Sequence, residues 1–167
     1  MRAKIQTLAE QAGRLLSGHQ LLITTAESCT GGGIAEAITA VAGSSGWFDR
    51  GFVSYSNTAK NEMLGVSLAT LSSAGAVSEA VVLEMAKGAI AQSAAHLSVA
   101  VSGIAGPAGG TGDKPVGTVW IAWGQKLGYA EARRFHFDGD RAAVREQTVA
   151  AALEGVVERL DAEPAAR

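Results

Sequence analysis

The chain lacks the features that mark several large classes of protein. Cys29 is its only cysteine, so no intrachain disulfide can form, as is typical of a reducing compartment. No window of about 20 residues is apolar throughout, so no membrane-spanning helix is expected. Charged residues near the N-terminus interrupt any signal-peptide pattern. These absences predict a cytoplasmic protein with no membrane partner.

Aromatic and charged side chains are scarce. They make up 5% and 18% of the 167 residues, against 47% hydrophobic residues, so we expect a core built mainly of Ala, Val, Leu and Ile. A net charge of −2 offers a phosphate backbone no general attraction, so no nucleic-acid partner is expected. The length fits one domain over residues 1–167. The apolar composition is compatible with a homo-oligomer but fixes no stoichiometry.

The spacings that bind metals or nucleotide phosphates are missing as well. H-x-x-x-H, C-x-x-C and G-x-x-x-x-G-K-[ST] do not occur. The three histidines, His19, His96 and His136, precede a predicted strand, end a predicted helix and lie in a predicted strand, respectively. We interpret them as structural, and we expect neither a metal nor a cofactor.

Hydrophobic periodicity predicts alternating helices and strands. Helices are predicted over residues 5–17, about 30–40, 56–64, 78–95 and 141–160, and strands over 21–25, 51–55, 97–102, 118–123 and 129–137. This order favours a single layered α/β/α domain with a mixed, partly parallel sheet and a C-terminal antiparallel hairpin. Residues 161–167 are predicted to be a frayed tail. Ligands bind beyond the carboxyl ends of strands in such sheets, here near Thr25, Tyr55 and Ser102.

Ser28 is the predicted nucleophile. It follows the first strand and precedes Cys29-Thr30-Gly31-Gly32-Gly33, so its hydroxyl lies beside the open N–H groups of a helix N-terminus. Such donors suit an oxyanion or a phosphate. The alternative is a tight strand-to-helix turn in which Ser28 or Thr30 only caps the helix.

A serine nucleophile needs a base, and Lys60 is the strongest candidate among the lysines. No Ser-x-x-Lys pattern occurs, so any Ser–Lys pair must be assembled across the fold. Lys60 lies on a short helix directly after a strand end, with Tyr55 and Asn57 nearby. Spacing alone favours a solvated helix lysine over a catalytic one, and Tyr55 by itself is typical of a half-buried strand residue.

Two regions are candidates for binding an anion. The loop 103–117 is rich in glycine, including Gly106, and its N–H groups can surround an anion, although a flexible connecting loop would look the same. Arg141 and Arg145 lie one turn apart at the start of the last helix, so they either converge on a phosphate or form a solvated face.

Four segments taken together resemble the CinA C-terminal domain family, and the similarity runs from about Ile5 to Leu160. They are Ala26-Glu27-Ser28-Cys29-Thr30-Gly31-Gly32, Tyr55-Ser56-Asn57-Thr58-Ala59-Lys60, Ser102-Gly103-Ile104-Ala105-Gly106-Pro107 and Gly139-Asp140-Arg141. Gly33 and Arg50 depart from the family pattern. Some members carry a further N-terminal domain, and we expect the stand-alone form here.

The resemblance implies an amidohydrolase that converts the carboxamide of nicotinamide mononucleotide to nicotinate mononucleotide and ammonia, within pyridine nucleotide salvage. It implies that Ser28 attacks, that Lys60 takes and returns the proton, and that Tyr55 orients Lys60. The N–H groups of Thr30 and Gly31 would bind the oxyanion, and Gly106, Thr111, Arg141 and Arg145 the ribose phosphate.

Three alternatives stay open at this stage. One is a binding or regulatory module that holds a pyridine nucleotide without turning it over. The second is a hydrolase of another small amide. The third is a pyrophosphate hydrolase, which would normally require a divalent metal.

Overall fold

A five-stranded mixed sheet forms the centre of the molecule in the computed structural model, which describes residues 1–162. Its strands run in the order β2-β1-β3-β4-β5. The three strands β2, β1 and β3 are parallel, β4 is antiparallel to β3, and β5 is antiparallel to β4. The strand bounds are β1 Ile23–Glu27, β2 Phe48–Val53, β3 Leu97–Gly103, β4 Thr118–Gln125 and β5 Ala130–His136.

Helices cover both faces of this sheet. Their bounds are α1 Arg2–Gly18, α2 Gly33–Thr39, α3 Asn57–Leu64, α4 Leu68–Ala74, α5 Glu79–Ala91 and α6 Arg141–Ala162, with a single 3₁₀ turn at Ser44–Gly46. On one face α1, α2 and α6 pack together, and on the other α5 packs on the strands with α3 and α4 beside it. The predicted α/β/α architecture with its C-terminal antiparallel hairpin is confirmed.

Alternation along the strands creates two separate cores. Val99 and Val101 of β3 face the α1, α2 and α6 layer, whereas Ala100 between them packs with Val82 and Met85 of α5. This is the two-residue period of a strand that is buried on both faces. Every other residue of β1 and β3 therefore faces the layer that contains α3 and α5.

Several predicted bounds are corrected. The strand predicted at 21–25 lies at 23–27, because Leu22 pairs with His96 before the β1 ladder begins. The strand predicted at 51–55 lies at 48–53. The helix that starts after Ser78 ends at Ala91, before the predicted residue 95. Helix α4 was not predicted. Helix α6 continues through Asp161 and Ala162, so the predicted tail begins too early, and its residues 163–167 lie outside the described residues.

The start of α2 is also corrected. The helix begins at Gly33, after Gly32 with φ +103°, and Thr30 does not cap it. The carboxylate of Glu27 instead accepts the N–H groups of Ile34 and Ala35, at 2.8 and 3.0 Å. No helix within residues 1–162 is long and apolar enough to cross a membrane.

Candidate active site

The carboxyl ends of β1, β2 and β3 meet at a cavity of about 290 Å³. It is near the lower end of the usual range for small-molecule sites, about 300–1,000 Å³. Its lining includes Ser28, Lys60, Tyr55, Ser102 and Arg141, together with glycines of the loop after β3. A larger depression of about 720 Å³ lies between α1 and the loop after α2, but none of the predicted site residues lines it.

The structure brings Ser28 and Lys60 into direct contact. Lys60 Nζ lies 2.9 Å from Ser28 Oγ. Ser28 follows the last residue of β1, and Lys60 lies on α3, which begins after Ser56 caps it by accepting the N–H of Ala59 at 3.0 Å. The cap fixes where the helix starts and therefore which of its residues faces the cavity. Lys60 is 1% exposed and is not a solvated helix lysine.

Two main-chain carbonyls hold the Lys60 amine in place. Nζ lies 3.0 Å from Ser54 O and 2.9 Å from Tyr55 O, just beyond β2. Carbonyls only accept, so each takes one N–H of the amine. A neutral amine has two N–H groups, so its lone pair then faces Ser28 Oγ. Burial lowers the pKa of Lys60, although the nearby Cys29 acts in the opposite direction. Both features favour a base directed at the serine.

The turn after Ser28 is shaped by buried Glu27. Its carboxylate is 1% exposed and also accepts from Thr30 Oγ1, at 2.6 Å. Sequence reasoning did not assign Glu27 a role, because an acidic residue beside a turn is typically solvent-exposed. With Ile34 and Ala35 as further donors, the carboxylate ties the end of β1 to the start of α2.

One of the two predicted oxyanion donors, the N–H of Gly31, is corrected by this turn. The N–H of Gly31 donates to Ser28 O at 3.0 Å and is already used. Within residues 1–162, the N–H groups of Cys29 and Thr30 have no partner in the turn, and Cys29 lines the cavity. These two main-chain donors, and not those of Gly31, are the ones the turn leaves open beside Ser28.

Tyr55 contacts Lys60 through its main chain, because its carbonyl accepts from Lys60 Nζ. Tyr55 is 59% exposed, and its hydroxyl accepts from Arg141 Nη2 at 3.1 Å. Tyr55 lies beyond the last pair of the β2 ladder, so its side chain projects out of the sheet. The side chain forms part of the cavity wall.

The two predicted arginines have different positions. Arg141 lines the cavity, and its Nη1 donates to Gly106 O at 2.9 Å. Arg145 is directed at the turn after Ser28: its Nε and Nη2 donate to Cys29 O and Thr30 O, at 3.1 and 3.2 Å. The carbonyl and N–H of a trans peptide point in opposite directions. By holding Cys29 O, Arg145 therefore directs the N–H of Thr30 away from itself.

Of the two predicted residues in the loop after β3, one lines the cavity and the other does not. Gly106 lines the cavity, but Thr111 does not. Thr111 closes a turn of its own, with its N–H donating to Lys114 O at 2.8 Å and its hydroxyl accepting from Lys114 N at 3.1 Å. Thr111 therefore lies outside the cavity lining.

Cys29, next to the predicted nucleophile, is unsuited to nucleophilic chemistry. Burial raises the pKa of its thiol to about 11, with Glu27 adding to that effect. The thiolate is the reactive form, so the sulfur stays inert near neutral pH. Among residues 1–162, no group of three His, Cys, Asp or Glu side chains is placed to hold a metal ion.

Comparison with known proteins decides the family. The model of the CinA C-terminal domain family matches residues 5–160. The chain belongs to this family. Its fold agrees with two solved structures. The competence/damage inducible protein CihA of Agrobacterium tumefaciens is 45% identical with a TM-score of 0.91, and the match covers 95% of this chain and 96% of that one. The competence damage-inducible protein A of Klebsiella pneumoniae is 41% identical with a TM-score of 0.92, and the match covers 96% of this chain and 99% of that one.

Two family members of nearly equal length are named for an enzymatic activity. Nicotinamide-nucleotide amidohydrolase PncC of Pseudomonas putida is 56% identical over 154 residues, which cover 92% of this chain and 96% of that protein. The protein of the same name from Escherichia coli K12 is 53% identical over 152 residues, covering 91% and 92%.

Proposed function

We propose that the protein hydrolyses the carboxamide of nicotinamide mononucleotide to nicotinate mononucleotide and ammonia, with Ser28 as nucleophile and Lys60 as base. The observation that carries this proposal is the 2.9 Å contact between Lys60 Nζ and Ser28 Oγ in a site where both are buried. The names of the 56% and 53% identical relatives support the substrate.

The first half of the reaction forms an ester with the enzyme. Ser28 Oγ attacks the amide carbon while its proton passes to the lone pair of Lys60 Nζ. The tetrahedral intermediate then collapses: the C–N bond breaks, Lys60 returns the proton to the nitrogen, and ammonia leaves. Lys60 is neutral again at the end of this half.

The second half releases the acid. Lys60 takes a proton from a water molecule, whose oxygen attacks the ester carbon. The C–O bond to Ser28 breaks, and Lys60 returns the proton to Ser28 Oγ. The product is a carboxylic acid that ionises to nicotinate mononucleotide.

The charge that develops on the carbonyl oxygen needs fixed donors in both halves. The N–H groups of Cys29 and Thr30 supply them, held by Glu27 on one side and Arg145 on the other. Removing one such donor in other hydrolases costs about 10²–10³ in kcat. The turn therefore contributes to rate as well as to folding.

Arg141 is the cation that the cavity offers to the ribose phosphate. Two of its nitrogens are directed by Gly106 O and the Tyr55 hydroxyl, and its remaining N–H groups are available to a phosphate oxygen. Its position in the first turn of α6 adds the favourable end of the helix dipole.

Ammonia release from nicotinamide mononucleotide, measured with a chelator present and with the product identified as nicotinate mononucleotide, tests the proposal. We expect turnover by the wild type. Binding of the nucleotide without ammonia release would indicate a binding module, and turnover of free nicotinamide as fast as of the nucleotide would indicate another small amide as substrate.

A further inference from the structure

Ser102 of β3 lines the same cavity as Ser28, and the register of β1 and β3 places the two residues next to each other. The register pairs Ala26 with Ala100 and Glu27 with Val101. Ser28 N donates to Val101 O at 3.1 Å, the hydrogen bond that closes the Glu27–Val101 pair at the end of the ladder. The next position in this register is Ser28, directly after β1, opposite Ser102 on β3, and neighbouring strands lie about 4.7–4.9 Å apart.

The two hydroxyls also share a face of the sheet. Ala26 and Ala100 both pack in the core on the α5 side. Side chains two residues apart on a strand lie on the same face, so Ser28 and Ser102 face that side too. Ser28 is thus flanked by Lys60, which is held by the carbonyls beyond β2, and by Ser102 on β3.

The Ser102 hydroxyl opens into the cavity and, among the described residues, has no internal partner. Ser102 is 1% exposed and lines the same cavity as Ser28. Four residues earlier on the same face, the Ser98 hydroxyl donates to Ala86 O at 2.8 Å. Within residues 1–162 the Ser102 hydroxyl makes no such bond. A hydroxyl that lines a cavity without an internal partner is available to hydrogen-bond a ligand there.

We infer that Ser102 Oγ accepts an N–H of the substrate carboxamide and so selects an amide over an ester. This inference rests on the proposed function. When the carbonyl oxygen faces the N–H groups of Cys29 and Thr30, the NH₂ group needs acceptors of its own. The carbonyls of Ser54 and Tyr55 are already used by Lys60. Ser102 is an acceptor in the cavity wall that is still open.

The test compares two substrates that differ only in the leaving group: nicotinamide mononucleotide and the methyl ester of nicotinate mononucleotide. An ester has no N–H for Ser102 to accept. Ser102→Ala should lower kcat/KM for the amide about tenfold, as expected for one hydrogen bond of about 1.4 kcal/mol. The same variant should leave kcat/KM for the ester within about twofold of the wild type.

Two further variants make the test specific. Ser102→Thr keeps a hydroxyl and should recover most of the preference for the amide. Ser98→Ala makes the same change on the same strand face, outside the cavity, and should leave the amide-to-ester ratio unchanged. Should Ser102→Ala fail to fold, Ser102→Cys, which is nearly isosteric and hydrogen-bonds weakly, should show the same change in ratio.

The outcomes separate this inference from the function beneath it. Equal losses on amide and ester, or no loss on either, would overturn the role of Ser102 while leaving the amidohydrolase proposal in place. A wild type that hydrolyses the ester but releases no ammonia from the amide would overturn both.

Discussion

Lys60 Nζ lies 2.9 Å from Ser28 Oγ although the two residues are 32 positions apart in the chain. Ser28 follows the central strand β1, and Lys60 lies on the helix that follows the neighbouring strand β2. Parallel strands place both connections at the same edge of the sheet. The pair is therefore a product of topology, and its chemistry depends on the charge state of Lys60.

The pH dependence of the reaction should report Lys60. A base must be neutral, so kcat/KM should rise with pH through the pKa of Lys60 in the free enzyme. Burial lowers that pKa, so the midpoint of the rise should lie below the ordinary lysine value of about 10.4. The measurement is kcat/KM for ammonia release over the pH range in which the fold is stable. A rise centred at or above the ordinary value would show that burial does not activate this lysine.

Replacing Glu27 by Gln should weaken the hydrogen bonds that hold the turn while keeping a side chain of the same size. One acceptor oxygen becomes an NH₂ group, so one of the three donors from Thr30, Ile34 and Ala35 loses its acceptor. An unsatisfied buried donor costs about 1–3 kcal/mol of stability. We also expect kcat to fall with KM little changed, because the displaced N–H groups serve the transition state.

The matched control is Glu36→Gln, the same substitution at an exposed position on α2. It should alter neither the free energy of unfolding nor kcat. If Glu27→Gln lost stability but kept its full kcat, the turn would matter for folding alone.

Substitutions of the two arginines at the start of α6 should affect different kinetic constants. Arg141 lines the cavity, so Arg141→Gln should raise KM about tenfold, the effect of one hydrogen bond to a charged group. Arg145 contacts only main-chain carbonyls of the turn among the described residues, so Arg145→Gln should lower kcat and leave KM nearly unchanged. Steady-state kinetics on nicotinamide mononucleotide separates the two effects.

Arg14→Gln serves as the control, because Arg14 lines the depression away from the candidate site. It should change neither constant. A raised KM for Arg145→Gln, with kcat intact, would move the phosphate site toward the turn.

Much of this arrangement could be predicted from the sequence, because local patterns specify it. Ser56 and Ser78 are N-caps followed by apolar periodicity, and both helices start where predicted. The glycine-rich segment after β3 ends the regular structure as expected. The short helix α4 was not predicted, because Leu68–Ala74 contains only one fully buried apolar side chain, Leu71, and so has little periodicity.

What the sequence did not specify is which atoms of a residue make each contact. Thr30 is a good N-cap by residue type, but Glu27 takes its hydroxyl hydrogen bond. Tyr55 was predicted to orient Lys60, and its contact with Lys60 is made by its carbonyl. Arg145 was predicted to bind phosphate, and in the structure it hydrogen-bonds the main chain of the turn. Sequence spacing carries no information on whether the side chain or the main chain of a residue makes a contact.

The central claim is that Ser28 and Lys60 act as one catalytic unit, and a double-mutant comparison tests it most directly. The measurement is ammonia release from nicotinamide mononucleotide by the wild type, Ser28→Ala, Lys60→Ala and the double variant. Residues that act as a unit show strongly non-additive losses. We therefore predict that each single variant falls to the background rate and that the double variant is no worse than either. Near-normal turnover by Lys60→Ala, or losses that multiply in the double variant, would contradict this account.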